Sequence, residues 1–462
     1  MKRGKNKSLV IIIAVLAVLI VVGIVVFDVV HTHKSDGLFA SLPAEDVTDL
    51  QSEDGYELEQ MLVMSRHNIR SPLSGGDSLL SQITPHEWFA WTSESGELSV
   101  KGGQLESTMG QFFRKYLENR EFIPLNWIPN DGEVRFYANS MQRTIATAQF
   151  FSTGMLPVAN VDIEYHKEYG EVDPIFCPII RCNSPEFESK VRKEIDVLGG
   201  EEGLVGINEN LKESYELLED VLDFKNSKYA KENGIEHIPL DDTSIEFVEG
   251  EEISLSGGLK IANTAVDALK LQIYEEDNLD EALFGEDITT EQIQDICKIG
   301  DAYQEICEGS KTFSTQVMAP MLTEMKKEFE TPERKFTFFC GHDSTITAIA
   351  AALDISEYLL PDAISQKAPI GGKLVFEKYQ GKDGQDYMKL WMVYANGDQL
   401  RNNTITSLKD APMLYELELE GLSKNTDGYY SYDDVMTRFD EAISLGNEYV
   451  DADAMKDAAY IP

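Results

Sequence analysis

Positive charge is scarce in this chain of 462 residues: 40 lysines and arginines stand against 81 aspartates and glutamates, a formal net charge of −41 at pH 7. A surface with that imbalance repels nucleic acid and anionic lipid headgroups, so an anion-binding site must be a local basic island. Cysteine is scarce too. The five present form no C-x-x-C pair and no zinc spacing, which removes the usual structural-metal and dithiol readings. A phosphate-cradling Walker loop and a serine nucleophile elbow are both missing. There is no internal repeat and no low-complexity segment.

The composition is that of a folded protein. Hydrophobic residues make up 42% and aromatic residues 10%, enough to bury a real core. The length exceeds a single small core and implies two sub-domains or one domain with a large insertion. One long apolar run exists. Lys2, Arg3, Lys5 and Lys7 precede Leu9 to Phe27, 19 residues without charge or proline, which suffices to cross a bilayer. The basic flank predicts a cytoplasmic N-terminus. Phe27, Asp28, Val29, Val30 and His31 make a poor cleavage sequence, so an uncleaved signal anchor is expected rather than a removed signal peptide. Either way the bulk of the chain lies outside the cytoplasm, anchored to the membrane, or secreted if the segment is cut.

The expected organisation is a basic tail over 1–8, a transmembrane anchor over 9–27, an acidic linker over 28–55, an α/β core from 56–172 and 331–462, and a helical insertion over 173–330. His31 and His33 lie in the linker without further ligands. Met61 to Met64 is a continuous apolar run that reads as a buried strand and leads directly into Ser65-Arg66-His67-Asn68-Ile69-Arg70-Ser71-Pro72. Leu105, Met109, Phe112 and Tyr116 recur at helical spacing between Gly103 and Arg120. Val134, Phe136 and Ala138 alternate as a second strand, and Ser140 is expected to cap a helix carrying Arg143 in its first turn. Phe336 to Phe339 gives a third strand, ending at Gly341-His342-Asp343-Ser344 before another helix. Lys373 to Tyr379 and Tyr387 to Tyr394 read as paired strands. Charged helical stretches such as Asn208 to Asp223 and Thr290 to Cys307 fill the insertion. Cys177 and Cys182 can close a small loop disulfide. Cys297 and Cys307 sit about 15 Å apart if their helix is continuous, too far to bridge, unless Gly300 breaks it. Cys340 reads as a buried thiol.

Three strand ends thus carry Arg66 and His67, Arg143, and His342 with Asp343. In open α/β sheets ligands sit beyond the carboxyl ends of strands, so these groups can converge. Three guanidinium groups clamp a dianion through paired hydrogen bonds, and a helix first turn adds backbone donors at Arg143 and beside His342. A neutral imidazole at His67 can attack phosphorus, the arginines can hold the charge of the transferring phosphoryl group, and Asp343 can protonate the leaving alkoxide.

Arg66-His67-Asn68-Ile69-Arg70-Ser71-Pro72 resembles the R-H-x-x-R-x-P signature of the histidine acid phosphatases, and Gly341-His342-Asp343 resembles their downstream H-D motif. The resemblance runs from about residue 56 to near the C-terminus and is nearest to the bacterial glucose-1-phosphatase and phytase branch. Leu98 to Gly103, Tyr137 to Thr144, Val172-Asp173-Pro174 and Pro369 to Lys373 carry it further. It implies a phosphoglycerate-mutase-like sheet core with an all-helical insertion roofing the pocket. It implies His67 as nucleophile, Asp343 as proton donor, and Arg66, Arg70, Arg143 and His342 as phosphate ligands, with no metal and no cofactor. Asn68 resembles glucose-1-phosphatases, where phytases more often carry glycine. The expected substrate is therefore a small sugar phosphate such as glucose 1-phosphate, with phytate as the alternative. The other partner expected is the membrane, through the N-terminal helix; nucleic acid is not. A phosphoglycerate-mutase-like phosphotransferase and a tethered, non-catalytic phospho-ligand binder are the competing readings. His86, His166 and His237 read as structural or surface residues. Trp88 and Trp91 read as core, with sugar stacking as the alternative.

Overall fold

A computed structural model of the chain describes residues 55–73, 78–405 and 410–450. The basic tail, the apolar run 9–27, the linker up to residue 54 and the His31/His33 pair lie outside the described residues. Among the described residues no helix is long and apolar enough to cross a membrane.

The chain begins with β1 (Tyr56–Arg66), α1 (Val100–Asn119), β2 (Val134–Ala138), α2 (Gln142–Met155) and a short β3 (Ile163–Glu164). A mainly helical stretch follows: α3 (Pro185–Leu198), α4 (Leu204–Asn210), α5 (Lys212–Leu222), α6 (Lys228–Asn233), the strands β4 (Ser244–Glu246) and β5 (Ser254–Ser256), then α7 (Gly258–Glu275), α8 (Leu279–Ala282), α9 (Thr290–Glu308) and α10 (Lys311–Phe329). The chain returns through β6 (Phe336–Gly341), α11 (Asp343–Ala352), β7 (Lys373–Gly381), β8 (Asp386–Tyr394), α12 (Gly397–Asn402), β9 (Met413–Glu416), β10 (Tyr430–Ser431) and α13 (Tyr432–Glu448).

One eight-stranded sheet organises these elements in the order β10-β8-β7-β1-β6-β2-β3, with β9 also on β8. β1, β6, β2 and β3 run parallel; β7 and β8 join antiparallel. β6 occupies the slot between β1 and β2, so the three strand ends that carry the candidate residues lie side by side. Strands buried on both faces read as continuous apolar runs, and every residue of β1 from Met61 onward is buried. β6 shows the two faces. Phe338 stacks on Phe151 of α2 at 4.3 Å, while its neighbour Thr337 donates to Glu328 of α10 at 2.8 Å. Helices therefore cover both faces, as an α/β sheet requires.

Three expectations are corrected here. The insertion is not all helical: Ser244 to Glu246 and Ser254 to Ser256 pair as an antiparallel hairpin, too short for alternation to register in the sequence. All five cysteines are free; Cys177 and Cys182 are not bridged, and α9 continues through Gly300, keeping Cys297 and Cys307 far apart on one helix. Ser140 does not cap α2. Its hydroxyl accepts from the Lys167 amide at 3.0 Å, and Met141 stands at the cap position without a side-chain bond.

Candidate active site

β1 delivers its last residues to a tightly clamped corner. The Arg66 amide donates to the Gly372 carbonyl at 2.9 Å, and the His67 amide donates to the Gly341 carbonyl at 3.1 Å. The loop beyond is held by the segment before α1: Ser99 donates to the Ile69 carbonyl and Ser71 to the Glu97 carbonyl, with a bridge between Arg70 and Leu98. A Cβ on Gly102 would lie 2.4 Å from the Ile69 oxygen, so only glycine lets the start of α1 approach this loop. Arg143 is the second residue of α2, and Asp343 opens α11 with His342 at its cap position.

The six predicted residues come together here. His67 and His342 lie with ring centroids 5.6 Å apart, edge to face. Arg66 pairs with Asp343 at 3.0 Å and donates to the Ala368 carbonyl at 2.5 Å. Arg70 pairs with Asp267 at 3.1 Å. Arg143 makes one long contact, 3.4 Å to the Gly96 carbonyl, and no ion pair among the described residues. The Nε of Arg66, of Arg70 and of Arg143 is buried without an acceptor. Buried donors are normally satisfied, and three unmet guanidinium donors in one place are what an oxyanion would satisfy.

Hydrogen bonding sets the histidine forms. A carbonyl only accepts, so the 2.8 Å contact between His67 Nδ1 and the Asn68 oxygen puts the proton on Nδ1. In the neutral ring Nε2 keeps its lone pair. Asn139 accepts the Asp173 amide on Oδ1 at 2.8 Å, which turns its Nδ2 towards His342 Nε2 at 2.6 Å. That nitrogen must accept, so the contact holds His342 neutral. Burial, then the charges of Arg143, Arg70 and Arg66, push His67 well below the ordinary histidine range. Burial and Arg143 bring His342 down to about 3. Both rings remain neutral in mild acid. Arg143 falls to about 10, by burial and by the like charge of Arg70. For Asp343, burial favours the neutral acid, but Arg66, then Lys270, Arg70 and His342, override it and hold the carboxyl well below the usual range.

Several neighbours were not legible in the sequence. Asp267 and Lys270 sit one turn apart on α7, Asp267 on Arg70 and Lys270 within the field of Asp343. Lys270 is buried and makes no hydrogen bond or ion pair among the described residues. Glu308 is a buried carboxyl pushed well up by burial and by Glu252, Asp343 and Glu305. The remaining aromatic and histidine positions lie elsewhere: Trp88 packs on Phe284, His166 stacks on Tyr137, and His237 bonds Glu219 at the surface.

Known proteins resemble the chain over most of its length. Residues 57–189 match the model of the histidine phosphatase superfamily, branch 2. The chain is 37% identical over 415 residues to a glucose-1-phosphatase of Providencia rettgeri, covering 88% of this chain and 97% of the relative. It is 35% identical to a glucose-1-phosphatase of Salmonella typhimurium, covering 82% and 91%. Among solved structures, the apo phytase of Hafnia alvei superposes with a TM-score of 0.77 at 23% identity, covering 87% of this chain and 99% of that one.

Proposed function

Because the chain belongs to the histidine phosphatase superfamily, branch 2, and is a histidine acid phosphatase, we propose that it hydrolyses small sugar phosphates, glucose 1-phosphate first, through a phosphohistidine on His67. The observation that carries the reading is the free Nε2 of a neutral His67 set among three arginines with unmet Nε donors. In this reading Arg66, Arg70, Arg143 and His342 bind the phosphoryl oxygens and stabilise the charge that spreads over them during transfer. His67 attacks, the sugar oxygen leaves with a proton from Asp343, and water then cleaves the phosphohistidine with Asp343 as base.

The proton comes with the substrate. Asp343 is ionised in the free protein because Arg66 and its neighbours hold it so. A phosphomonoester in mild acid is a monoanion, its second ionisation near pH 6. On binding, the phosphoryl oxygens take Arg66, Asp343 loses its partner beside a new anion, and the substrate proton moves to it. This fixes the pH dependence. Burial and the surrounding arginines hold His67 neutral in mild acid, so kcat/KM should be highest below the second ionisation of the ester, at about pH 6. It should fall about tenfold per unit above about pH 6 as the ester becomes dianionic. A maximum above pH 7 in a kcat/KM profile would count against the proton route.

The choice of substrate rests on the names of the relatives at 37% and 35% identity. Steady-state phosphate release at about pH 5 from glucose 1-phosphate, phytate and p-nitrophenyl phosphate, with no added metal, tests it. Glucose 1-phosphate should give the highest kcat/KM of the two natural esters; a reversed order makes phytate the substrate. The basic flank and apolar run at the N-terminus support placing the enzyme outside the cytoplasm, tethered by residues 9–27. Protease protection of membrane vesicles tests that placement.

A further inference from the structure

Behind His67 lies a buried ion pair that the reaction above does not use. Glu106 of α1 and Lys373, the first residue of β7, are both fully buried, with Lys373 Nζ 3.1 Å from each Glu106 oxygen. Such a pair is costly to desolvate and is weak evidence for stability. Its contacts lead to the candidate nucleophile. Asn68 donates from Nδ2 to Glu106 Oε1 at 2.7 Å, while its Oδ1 accepts the Ile69 amide at 2.8 Å. Its own amide points to Thr147 Oγ1 at 3.3 Å. Asn68 is therefore held on three sides, and its carbonyl is the one that takes the His67 Nδ1 proton. Lys373 also donates to the Gly371 carbonyl at 2.9 Å, and the Gly371 amide donates to the His67 carbonyl at 3.2 Å. The path closes on itself: His67, Asn68, Glu106, Lys373, Gly371, His67. Gly371 has φ +66°, and a Cβ there would lie 2.5 Å from Asn68 Nδ2, so the ring is closed without room for a side chain.

We propose that Asn68, Glu106 and Lys373 are positioning residues that fix the tautomer and ring orientation of His67, so that Nε2 faces the phosphoryl group. A general-purpose buried pair would serve packing; this one holds the side chain of the residue whose backbone carbonyl accepts the ring N–H of neutral His67. Burial raises Glu106, and Lys373 and the Asn68 bond oppose that rise. The proposal rests on the phosphohistidine reading for its kinetic part, but the tautomer is measurable without turnover.

The test uses the full chain and two double variants. Glu106→Leu with Lys373→Met removes both charges and the acceptor, a replacement that buried pairs commonly tolerate. Glu106→Gln with Lys373→Met removes the charges but keeps an oxygen for Asn68. With p-nitrophenyl phosphate, the first should lower kcat by about 10–100-fold with KM within about twofold. Its His67 ring should show mixed tautomers by 15N NMR. The second should recover kcat to within about threefold and show the single Nδ1-protonated form. Asn68→Ala, which leaves the pair intact, should behave as the first, and it decides the matter if a double variant fails to fold. A single tautomer and unchanged kcat in the Leu/Met and Asn68→Ala variants would overturn the proposal, as would equal loss in both folded double variants. If the wild-type protein forms no phosphohistidine, the functional reading fails while the tautomer comparison still decides the ring.

Discussion

His67→Ala should abolish phosphate release from every ester, lowering kcat by at least about 10⁴-fold, the scale on which loss of a covalent nucleophile is felt. The loss should be chemical rather than structural. Among the described residues the His67 side chain makes one hydrogen bond, to its own neighbour's backbone carbonyl, and the backbone bonds that clamp the corner, from its amide to Gly341 and from the Gly371 amide to its carbonyl, survive truncation. Arg66, Arg70 and Arg143 also remain, so inorganic phosphate should still bind within about tenfold of the wild-type constant. Rapid quench with labelled substrate should trap an alkali-stable, acid-labile phosphoenzyme in the wild type and none in the variant. Turnover surviving in the variant would sink the nucleophile assignment, whatever the family.

Asp343→Asn should separate the two halves of the reaction. With glucose 1-phosphate the departing sugar oxygen needs a proton, and its loss should cost about 10²–10⁴-fold in kcat. With p-nitrophenyl phosphate the departing phenolate needs none, so the phosphoenzyme should form in a burst and then hydrolyse slowly, since the variant also lacks the base. Phosphate affinity should hold or improve, because Asp343 pairs with Arg66 at 3.0 Å and its neutralisation frees that guanidinium for substrate. Equal losses on both esters, with no burst, would assign Asp343 to Arg66 placement alone and leave the acid unassigned.

Much of this site was legible because it is built from strand ends. The apolar runs before Arg66 and His342 and the alternation before Arg143 read as strands, and β1, β6 and β2 stand there. The longer helices were legible from periodicity, α1 starting at Val100, three residues ahead of the pattern's first glycine. Residues reached only through tertiary packing were not. Glu106 sits among polar and small residues of a helix whose periodicity gives it no special place, and nothing local shows that its carboxylate is fully enclosed against Lys373. Asp267 and Lys270 belong to a helix from the insertion, and their relation to Arg70 and Asp343 exists only once that helix is docked. Asn139 stands one residue beyond β2, and its role depends on the Asp173 amide 34 residues away. The hairpin of β4 and β5 was hidden because three-residue strands give period two no length in which to show.

The slot filled by β6 has a consequence for how the enzyme comes into being. Chain order and spatial order disagree: the first and second strands made are not neighbours, and the strand that joins them arrives only after the whole insertion. A ribosome that has finished residue 330 has produced His67, all three arginines and most of the helical residues, yet β1 and β2 have no hydrogen-bonded partner between them and Asp343 does not exist. Parallel pairing across such a separation is slow, since the loop must be closed before any contact rewards it. The growing polypeptide therefore cannot complete the site until β6, a six-residue strand, has been made and paired between β1 and β2, and the Gly372 carbonyl that holds the Arg66 amide comes later still.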